Sequence, residues 1–216
     1  MTISLDYADK IAVLNLGDDE NRFSPDFLDD INVRLDEVLD NAHGLVTTAT
    51  GKFYTNGLDL DWLTAHADQY QSYVGRVHAL LARVLTLPIP TAAAIVGHAF
   101  GAGAMLAVAH DYRVMRTDRG FFCFPEVDIN IPFTPGMAAL IQAKLAPQTA
   151  LTSMTTGRRF GGDDAATAGI VDASTAESAV TSTAVDLVRA IGAKDQATLG
   201  AIKQTMFAHA VATLTG

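Results

Sequence analysis

The spacing of apolar residues along the chain predicts helices and strands in turn. Between Phe27 and Leu39 an apolar residue returns every fourth position, which is typical of a helix with one buried face. Ser24 is a suitable N-cap, and Pro25 fits the first helical position. A helix is therefore predicted from this point to about Asn41.

Short apolar runs, several of them bounded by Gly, Pro or Asp, predict strands. They fall at residues 2–7, 11–16, 44–49, 91–96, 112–115 and 121–124. An apolar stripe predicts a long helix over residues 67–87, which Pro88 and Pro90 terminate. The polar segment 52–61 is predicted to be a functional loop, and helices are predicted to dominate after residue 124.

Composition limits the kinds of partner that the protein can have. The chain has 216 residues, which favours one domain, and its net charge of −9 argues against nucleic acid or an anionic membrane as a partner. Glycines and Pro90 argue against a membrane span over the apolar segment 89–109. A single cysteine, Cys123, and an N-terminus without a secretory signal predict a reduced, cytoplasmic setting.

Three segments concentrate the candidate chemistry: residues 51–60, 97–104 and 124–129. The first two place small residues where backbone can approach a ligand closely, and the second leads into a predicted helix N-terminus with free N–H groups. Two such turns can form an oxyanion hole of two amides. The pair Gly101 and Gly103 does not begin a dinucleotide fingerprint, because Leu106 stands where the third glycine is needed.

In order and spacing these segments resemble the F-S-A-G-x-D-L, G-x-A-x-G-G-G and P-E-V blocks of the crotonase (enoyl-CoA hydratase/isomerase) superfamily. The resemblance covers nearly the whole chain. It implies an α/β fold, a crotonase-like spiral of repeated strand-strand-helix units with a shortened C-terminal helical region. Residues 1–195 would form the core, and residues 196–216 would form a truncated helical segment of the same domain.

The resemblance also implies roles for residues of this chain. Leu58 and Ala102 would donate the two backbone N–H groups of the oxyanion hole, and Glu126 would transfer the proton. Further substrate contacts would come from Arg22, Phe23, Thr55, Gly57, Asp59, Leu60, Phe100, Gly101, Gly103 and Pro132.

Two positions distinguish members of this superfamily. Family hydratases carry a second glutamate after the glycine turn, where this chain has Met105. Dienoyl-CoA isomerases carry a further acid eight residues after the glutamate, where Thr134 stands. One carboxylate, Glu126, is enough to move a proton between two carbons, so an isomerase is favoured over both.

Phrases such as Asn21–Asp26 and His110–Tyr112 are closer still to short plant-type Δ3,Δ2-enoyl-CoA isomerases. Glu126 would then move the C2 proton of a 3-enoyl-CoA to C4, with no metal or redox cofactor. The resemblance implies a homotrimer or a dimer of trimers. Hydration, thioester hydrolysis, decarboxylation and non-catalytic acyl-CoA binding remain as alternatives.

Several candidate residues also have ordinary structural explanations. Glu126 could be a strand-end carboxylate, Asp59 is expected to cap a short helix, and His98 and His110 are expected to make structural hydrogen bonds. No spacing of His, Cys, Asp and Glu matches a metal site. Lysine and arginine candidates for the CoA phosphates, each equally explained as a surface charge, are Arg22, Lys52 and Lys203.

Overall fold

Two sheets organise the computed structural model, which describes residues 3–216. The strands are β1 (Ser4–Ala8), β2 (Ile11–Asn15), β3 (Gly44–Thr48), β4 (Phe53–Thr55), β5 (Thr91–Ile95), β6 (His98–Phe100), β7 (Tyr112–Arg116), β8 (Phe122–Cys123) and β9 (Ala173–Thr175). The α-helices are α1 (Pro25–Asn41), α2 (Leu60–Ala65), α3 (Tyr70–Leu85), α4 (Ala102–Ala109), α5 (Pro135–Lys144), α6 (Pro147–Thr156), α7 (Gly162–Thr167), α8 (Glu177–Ile191), α9 (Gln196–Met206) and α10 (Ala208–Thr215).

The order of the strands is that of a spiral. The larger sheet runs β1-β2-β3-β5-β7-β9, with β1 antiparallel to β2 and the other neighbours parallel, and the smaller parallel sheet runs β4-β6-β8. The pairs β3 and β4, β5 and β6, and β7 and β8 each give one strand to each sheet before the chain enters a helix. The repeated strand-strand-helix spiral predicted from the sequence is thus confirmed.

Parallel strands with both faces covered need continuous apolar sequences, and the centre of the larger sheet has them. Every residue of β3 and β5 is buried, and helix α8 packs across both. Helix α4 is buried along its whole length, since all eight of its residues are shielded from solvent. Helix α4 contacts strands of both sheets, so this core joins the smaller sheet to the larger one.

The predicted elements agree with the structure except where tertiary pairing decides. The Ser24 hydroxyl accepts a hydrogen bond from the Phe27 N–H at 3.2 Å, which confirms the predicted helix start. The predicted loop 52–61 contains strand β4, the predicted glycine-rich turn after residue 96 contains strand β6, and the region predicted to be helical after residue 124 contains strand β9. Each has three residues, too few to show a period. Of the strand predicted at 2–7, Thr2 lies outside the described residues.

No helix within residues 3–216 combines the length and hydropathy needed to cross a bilayer.

Helix α9 is attached to the core by a buried lysine. Lys203 is 5% exposed, and its Nζ donates to the Asp111 carboxylate at 2.6 Å and to the Ile89 carbonyl at 2.9 Å. Burial lowers the pKa of the Lys203 ammonium, and Asp111 opposes that shift. The prediction that Lys203 is a phosphate contact or a surface charge is therefore wrong, because its charge is already paired inside the protein.

Replacing Lys203 with methionine is expected to destabilise the fold by about 3 kcal/mol, because the substitution leaves the Asp111 carboxylate half-buried without its cation. Urea unfolding followed by circular dichroism measures the change. Lys194→Met is the matched control, since Lys194 is exposed in the loop before α9 and should change stability by less than about 0.5 kcal/mol. Equal stability of the two variants would contradict this role for Lys203.

Candidate active site

The three segments singled out in the sequence leave the same edge of the smaller sheet. The first segment contains β4 and leaves it at Thr55, the second contains β6 and leaves it at Phe100, and the third begins directly after Cys123 at the end of β8. Because these strands are parallel, their carboxyl ends meet at one edge. The topology therefore brings together segments that are far apart in the sequence.

Strand β4 reaches this edge through a register irregularity. Phe53 pairs with His98, yet Thr55, two residues later, pairs with Ala99, the next residue of β6. Tyr54 and Thr55 are both completely buried. This irregularity changes the face that Thr55 occupies and so sets the direction in which the chain leaves the strand.

Glycines let the first two segments touch through their backbones. Gly57 has φ +78°, and a Cβ placed on it would lie 2.7 Å from the Phe100 carbonyl oxygen and 2.9 Å from the Ala102 nitrogen. A Cβ on Gly103 would lie 2.4 Å from the Thr55 carbonyl oxygen. Any side chain at these positions would separate the turns, so glycine is required for this close approach.

The backbone N–H groups of Leu58 and Ala102 at this contact have no acceptor among residues 3–216, and that of Gly103, beside Ala102 in α4, has none either. Ala102 is the first residue of α4, whose unpaired N-terminal amides carry partial positive charge. Such donors stabilise negative charge on a nearby oxygen. The assignment of these two amides as an oxyanion hole stays a prediction, and the geometry is compatible with it.

Glu126 lies beside the same turn. It follows β8 in a tight turn in which the Ile131 N–H donates to the Glu126 carbonyl at 3.0 Å. A Cβ on Gly101 would lie 3.5 Å from Glu126 Oε1, so the carboxyl group faces the second segment. The residue is 9% exposed, and its Oε2 has no hydrogen-bond partner in the described chain.

Burial raises the pKa of the Glu126 carboxyl to about 7, an effect that its own backbone N–H partly opposes. A pKa near neutrality is what a glutamate that first accepts and then returns a proton requires. A carboxyl with this pKa exists in both protonation states near neutral pH, so it can accept a proton and return it.

The two positions that distinguish superfamily members carry no acid in the structure either. Met105 is 1% exposed inside α4. The Thr134 hydroxyl caps α5 by accepting the Met137 N–H at 3.2 Å, and it lies 2.8 Å from His78 Nε2. Neither residue supplies a second carboxylate beside Glu126.

A cleft of about 320 Å³ opens beside these groups. Its lining is mainly apolar and consists of Arg22, Asn56, Leu58, Leu60, Asp61, Phe100, Gly101, Pro125, Ile129 and Ile131. Of the ten residues predicted to bind substrate, four lie in this lining: Arg22, Leu60, Phe100 and Gly101. Arg22 pairs there with Asp61 at 2.7 Å, so an anionic ligand would compete with a carboxylate for it.

The other predicted substrate contacts lie around the cleft rather than in its lining. Gly57 and Gly103 make the backbone contact between the turns, and Asp59 caps α2 by accepting the Trp62 N–H at 3.1 Å. Phe23 and Thr55 are completely buried, so their side chains lie in the interior and not in the lining of the cleft. Pro132, lastly, is exposed outside this lining.

One hydroxyl beside the site has no signal in the sequence. Tyr73 lies on α3, and its Oη accepts the Asp59 N–H at 2.9 Å. In the sequence this tyrosine is one member of the apolar stripe of a helix. Only the packing of α3 against the first segment gives its hydroxyl a partner.

The histidines behave as structural residues, as predicted. His98 Nδ1 accepts the Phe121 N–H at 3.2 Å, and His110 is completely buried between Leu106 and Thr47. Burial lowers the pKa of the His110 imidazole to about 4. Within residues 3–216 no group of three His, Cys, Asp or Glu side chains is arranged to hold a metal ion.

Comparison with proteins of known sequence identifies relatives over most of the chain. Enoyl-CoA delta isomerase 2, peroxisomal, of Arabidopsis thaliana is 37% identical over 172 residues, which cover 75% of this chain and 72% of the relative. Enoyl-CoA delta isomerase 3 of the same plant is 36% identical over 191 residues, covering 82% of this chain and 79% of the relative.

Solved structures have the same fold. A probable enoyl-CoA hydratase from Mycobacterium tuberculosis superposes with a TM-score of 0.90 at 26% identity, covering 98% of this chain and 91% of the other. Human mitochondrial delta3-delta2-enoyl-CoA isomerase superposes with a TM-score of 0.89 at 21% identity, covering 97% and 84%. Residues 7–215 match the family model described as enoyl-CoA hydratase/isomerase. The chain therefore belongs to the enoyl-CoA hydratase/isomerase family.

Proposed function

We propose that the protein is an enoyl-CoA isomerase that shifts the double bond of a fatty acyl-CoA from the 3 to the 2 position. The observation that carries this proposal is the lone carboxyl of Glu126, buried with a free oxygen beside two unpaired amides. The plant relatives named enoyl-CoA delta isomerases support it. The apolar cleft suits an acyl chain.

The reaction moves one proton along the acyl chain. Glu126 takes a proton from C2, the electrons spread over C2 to C4 and the thioester carbonyl, and the oxygen becomes negative. The Leu58 and Ala102 amides stabilise this dienolate, and removing one such donor typically costs about 3 kcal/mol of barrier. Glu126 then returns the proton at C4, and the double bond ends at C2.

The residue at position 105 separates this reaction from hydration. Adding water across a double bond in family hydratases uses two glutamates, and Met105 offers no group that can orient water. An isomerase needs one group that acts first as base and then as acid. With a pKa near neutrality, Glu126 suits both steps.

The pH dependence of the reaction tests the state of Glu126. The carboxyl group of Glu126 must be deprotonated to take the C2 proton, so kcat/KM is expected to rise with pH and to level off above about 7. Initial rates with a 3-enoyl-CoA measure the profile. Circular dichroism over the same pH range controls for unfolding, and a flat profile between about pH 5.5 and 8 would contradict this assignment.

A substrate panel separates the proposed reaction from its alternatives. Incubation with a 3-enoyl-CoA should yield the 2-enoyl-CoA, followed by the absorbance of the conjugated thioester. Formation of a 3-hydroxyacyl-CoA would indicate hydration, and release of free thiol would indicate thioester hydrolysis. Carbon dioxide released from a carboxyacyl-CoA would indicate decarboxylation, and tight binding without turnover would indicate an acyl-CoA binding protein.

The proposal also covers cofactor, assembly and location. The mechanism needs no metal or redox group, so protein dialysed against a chelator should keep its full activity.

We propose that the protein assembles as a homotrimer or a dimer of trimers, and its mass in solution, measured by analytical ultracentrifugation, tests this. Two of the plant relatives are named peroxisomal, and for this chain a cytoplasmic location is proposed.

A further inference from the structure

Three consecutive backbone N–H groups in the first segment, those of residues 57 to 59, differ in whether they have a hydrogen-bond acceptor. The Gly57 N–H donates to the Thr55 hydroxyl at 3.0 Å, and the Asp59 N–H donates to the Tyr73 hydroxyl at 2.9 Å. The Leu58 N–H between them has no acceptor in residues 3–216. Both flanking donors are therefore occupied by side-chain oxygens, and only the middle one is left for a ligand.

The peptide unit that carries the Leu58 N–H is also held from its other side. Its carbonyl belongs to Gly57 and accepts the Phe23 N–H at 2.8 Å. In a trans peptide the N–H points away from the carbonyl, so this bond fixes the direction of the Leu58 N–H. Phe23 holds the central unit, while Thr55 and Tyr73 hold its two neighbours.

The Thr55 hydroxyl is itself fixed in orientation. It donates to the Asn21 carbonyl at 2.7 Å, so its hydrogen is engaged and a lone pair faces the Gly57 N–H. Asn21 is completely buried, and its side-chain amide donates to the Tyr54 carbonyl at 3.1 Å. The acceptor for Gly57 is thus part of a buried network, and it cannot turn toward water.

The Tyr73 hydroxyl is held by packing. The residue is 2% exposed, and its ring lies against Trp62 at a centroid distance of 5.2 Å. Burial raises the pKa of the Tyr73 phenol to about 12, so the group is neutral under working conditions. A neutral hydroxyl in a fixed ring is a stable acceptor for the Asp59 N–H.

We propose that Thr55 and Tyr73 are positioning residues whose hydroxyls occupy the amides on either side of Leu58 and so hold the Leu58 N–H toward the thioester carbonyl of the substrate. The inference rests on the proposed function, because it assigns the Leu58 amide to the oxyanion. Without the Thr55 hydroxyl the buried Gly57 N–H loses its acceptor, and without the Tyr73 hydroxyl the half-buried Asp59 N–H does. In either case the turn rotates to satisfy the donor. The Leu58 N–H then no longer points toward the thioester carbonyl oxygen.

The kinetic test compares Thr55→Val with Thr55→Ser, and Tyr73→Phe with Tyr54→Phe. Thr55→Val and Tyr73→Phe should each lower kcat roughly tenfold with KM within about twofold, since the lost bond acts on the transition-state oxyanion. Thr55→Ser keeps the acceptor and should restore kcat. Tyr54→Phe removes a buried hydroxyl that bonds Thr47 instead, and kcat should stay within about twofold of the parent.

A second readout does not depend on turnover. The carbonyl stretch of a bound saturated acyl-CoA labelled with ¹³C at C1 reports hydrogen bonds to the thioester oxygen. The parent protein should lower this frequency relative to free thioester in water. The lowering should be smaller in Thr55→Val and Tyr73→Phe and should be restored in Thr55→Ser.

These readouts separate the two proposals. An unchanged carbonyl shift and unchanged kcat in Thr55→Val and Tyr73→Phe would overturn the positioning role even in an active isomerase. A shift that responds to the variants in a protein that does not isomerise 3-enoyl-CoA would reject the proposed reaction and support the positioning role. If Thr55→Val does not fold, Tyr73→Phe tests the positioning role alone, because it removes one oxygen and keeps the packed ring. The absence of any shift in the parent protein would overturn the inference.

Discussion

Replacing Glu126 with glutamine is expected to lower kcat for the 3-enoyl to 2-enoyl conversion by about 10³-fold, because general acid–base catalysis typically contributes 10²–10⁴. Glutamine keeps the size of the side chain and its place beside Gly101, but it can neither take nor return a proton. Initial rates under saturating substrate measure the loss. Unchanged activity would end the assignment of Glu126 as the proton-transferring group.

The same variant should be more stable than the parent at neutral and higher pH. Burial raises the pKa of Glu126 from 4.5 in the unfolded chain to about 7 in the fold. The stability that the parent protein has with Glu126 protonated is fully present below pH 4.5 and is lost as the pH rises through 7. At higher pH the folded protein must either keep a proton on Glu126 or bury a charged carboxylate. At pH 8 the gain in Glu126→Gln should approach about 3 kcal/mol.

This stability change is the control for the kinetic result. A variant that loses activity while its midpoint of urea unfolding rises has kept its fold. A variant whose unfolding midpoint falls together with its activity would instead indicate that Glu126 supports the structure, as expected for an ordinary strand-end carboxylate. Repeating the unfolding at pH 4, where both states carry the proton, should remove most of the difference.

Replacing Gly57 with alanine is expected to lower kcat by about 100-fold and to destabilise the fold by about 3 kcal/mol. A Cβ at this position meets backbone atoms, namely the Phe100 carbonyl and the Ala102 nitrogen, and backbone cannot move aside as a flexible side chain can. The positive φ adds strain for any residue with a Cβ. The two turns are forced apart, and the two amides no longer converge on one oxygen.

Gly75→Ala is the matched control for this substitution. Gly75 lies exposed within α3, and nothing lies within 4 Å of a Cβ placed on it. The change should raise stability by roughly 0.5–1 kcal/mol, the usual gain for alanine over glycine in a helix, and should leave activity unchanged. Activity of Gly57→Ala within about threefold of the control would show that contact between the turns is not required.

Local signals made much of the fold predictable. The helix start at Ser24 and Pro25 needs only neighbouring residues, and the apolar runs of β3 and β5 are long enough to be distinguished. The three candidate segments stand out because glycine and an isolated glutamate are unusual within apolar sequence. Their meeting point is seen only in the structure, where the parallel strands β4, β6 and β8 end at one edge of the smaller sheet.

Other features depend on contacts that no local pattern contains. Lys203 reads as a helical surface charge until α9 packs over Asp111. Tyr73 reads as a core aromatic until its hydroxyl meets the Asp59 amide. Strand β9 exists only because β7 offers it a partner. In each case the determining partner is distant in sequence, so tertiary structure supplies what periodicity does not.

The bulge in β4 restricts how this part of the chain can diverge. Two steps along β4, from Phe53 to Thr55, match one step along β6. Adding or removing one residue in β4 would turn Thr55 to the opposite face and displace the glycine turn after it. Natural variation between Phe53 and Gly57 should therefore consist of substitutions, while insertions and deletions should fall in peripheral loops such as the one before α9. This segment can change its chemistry but not its length.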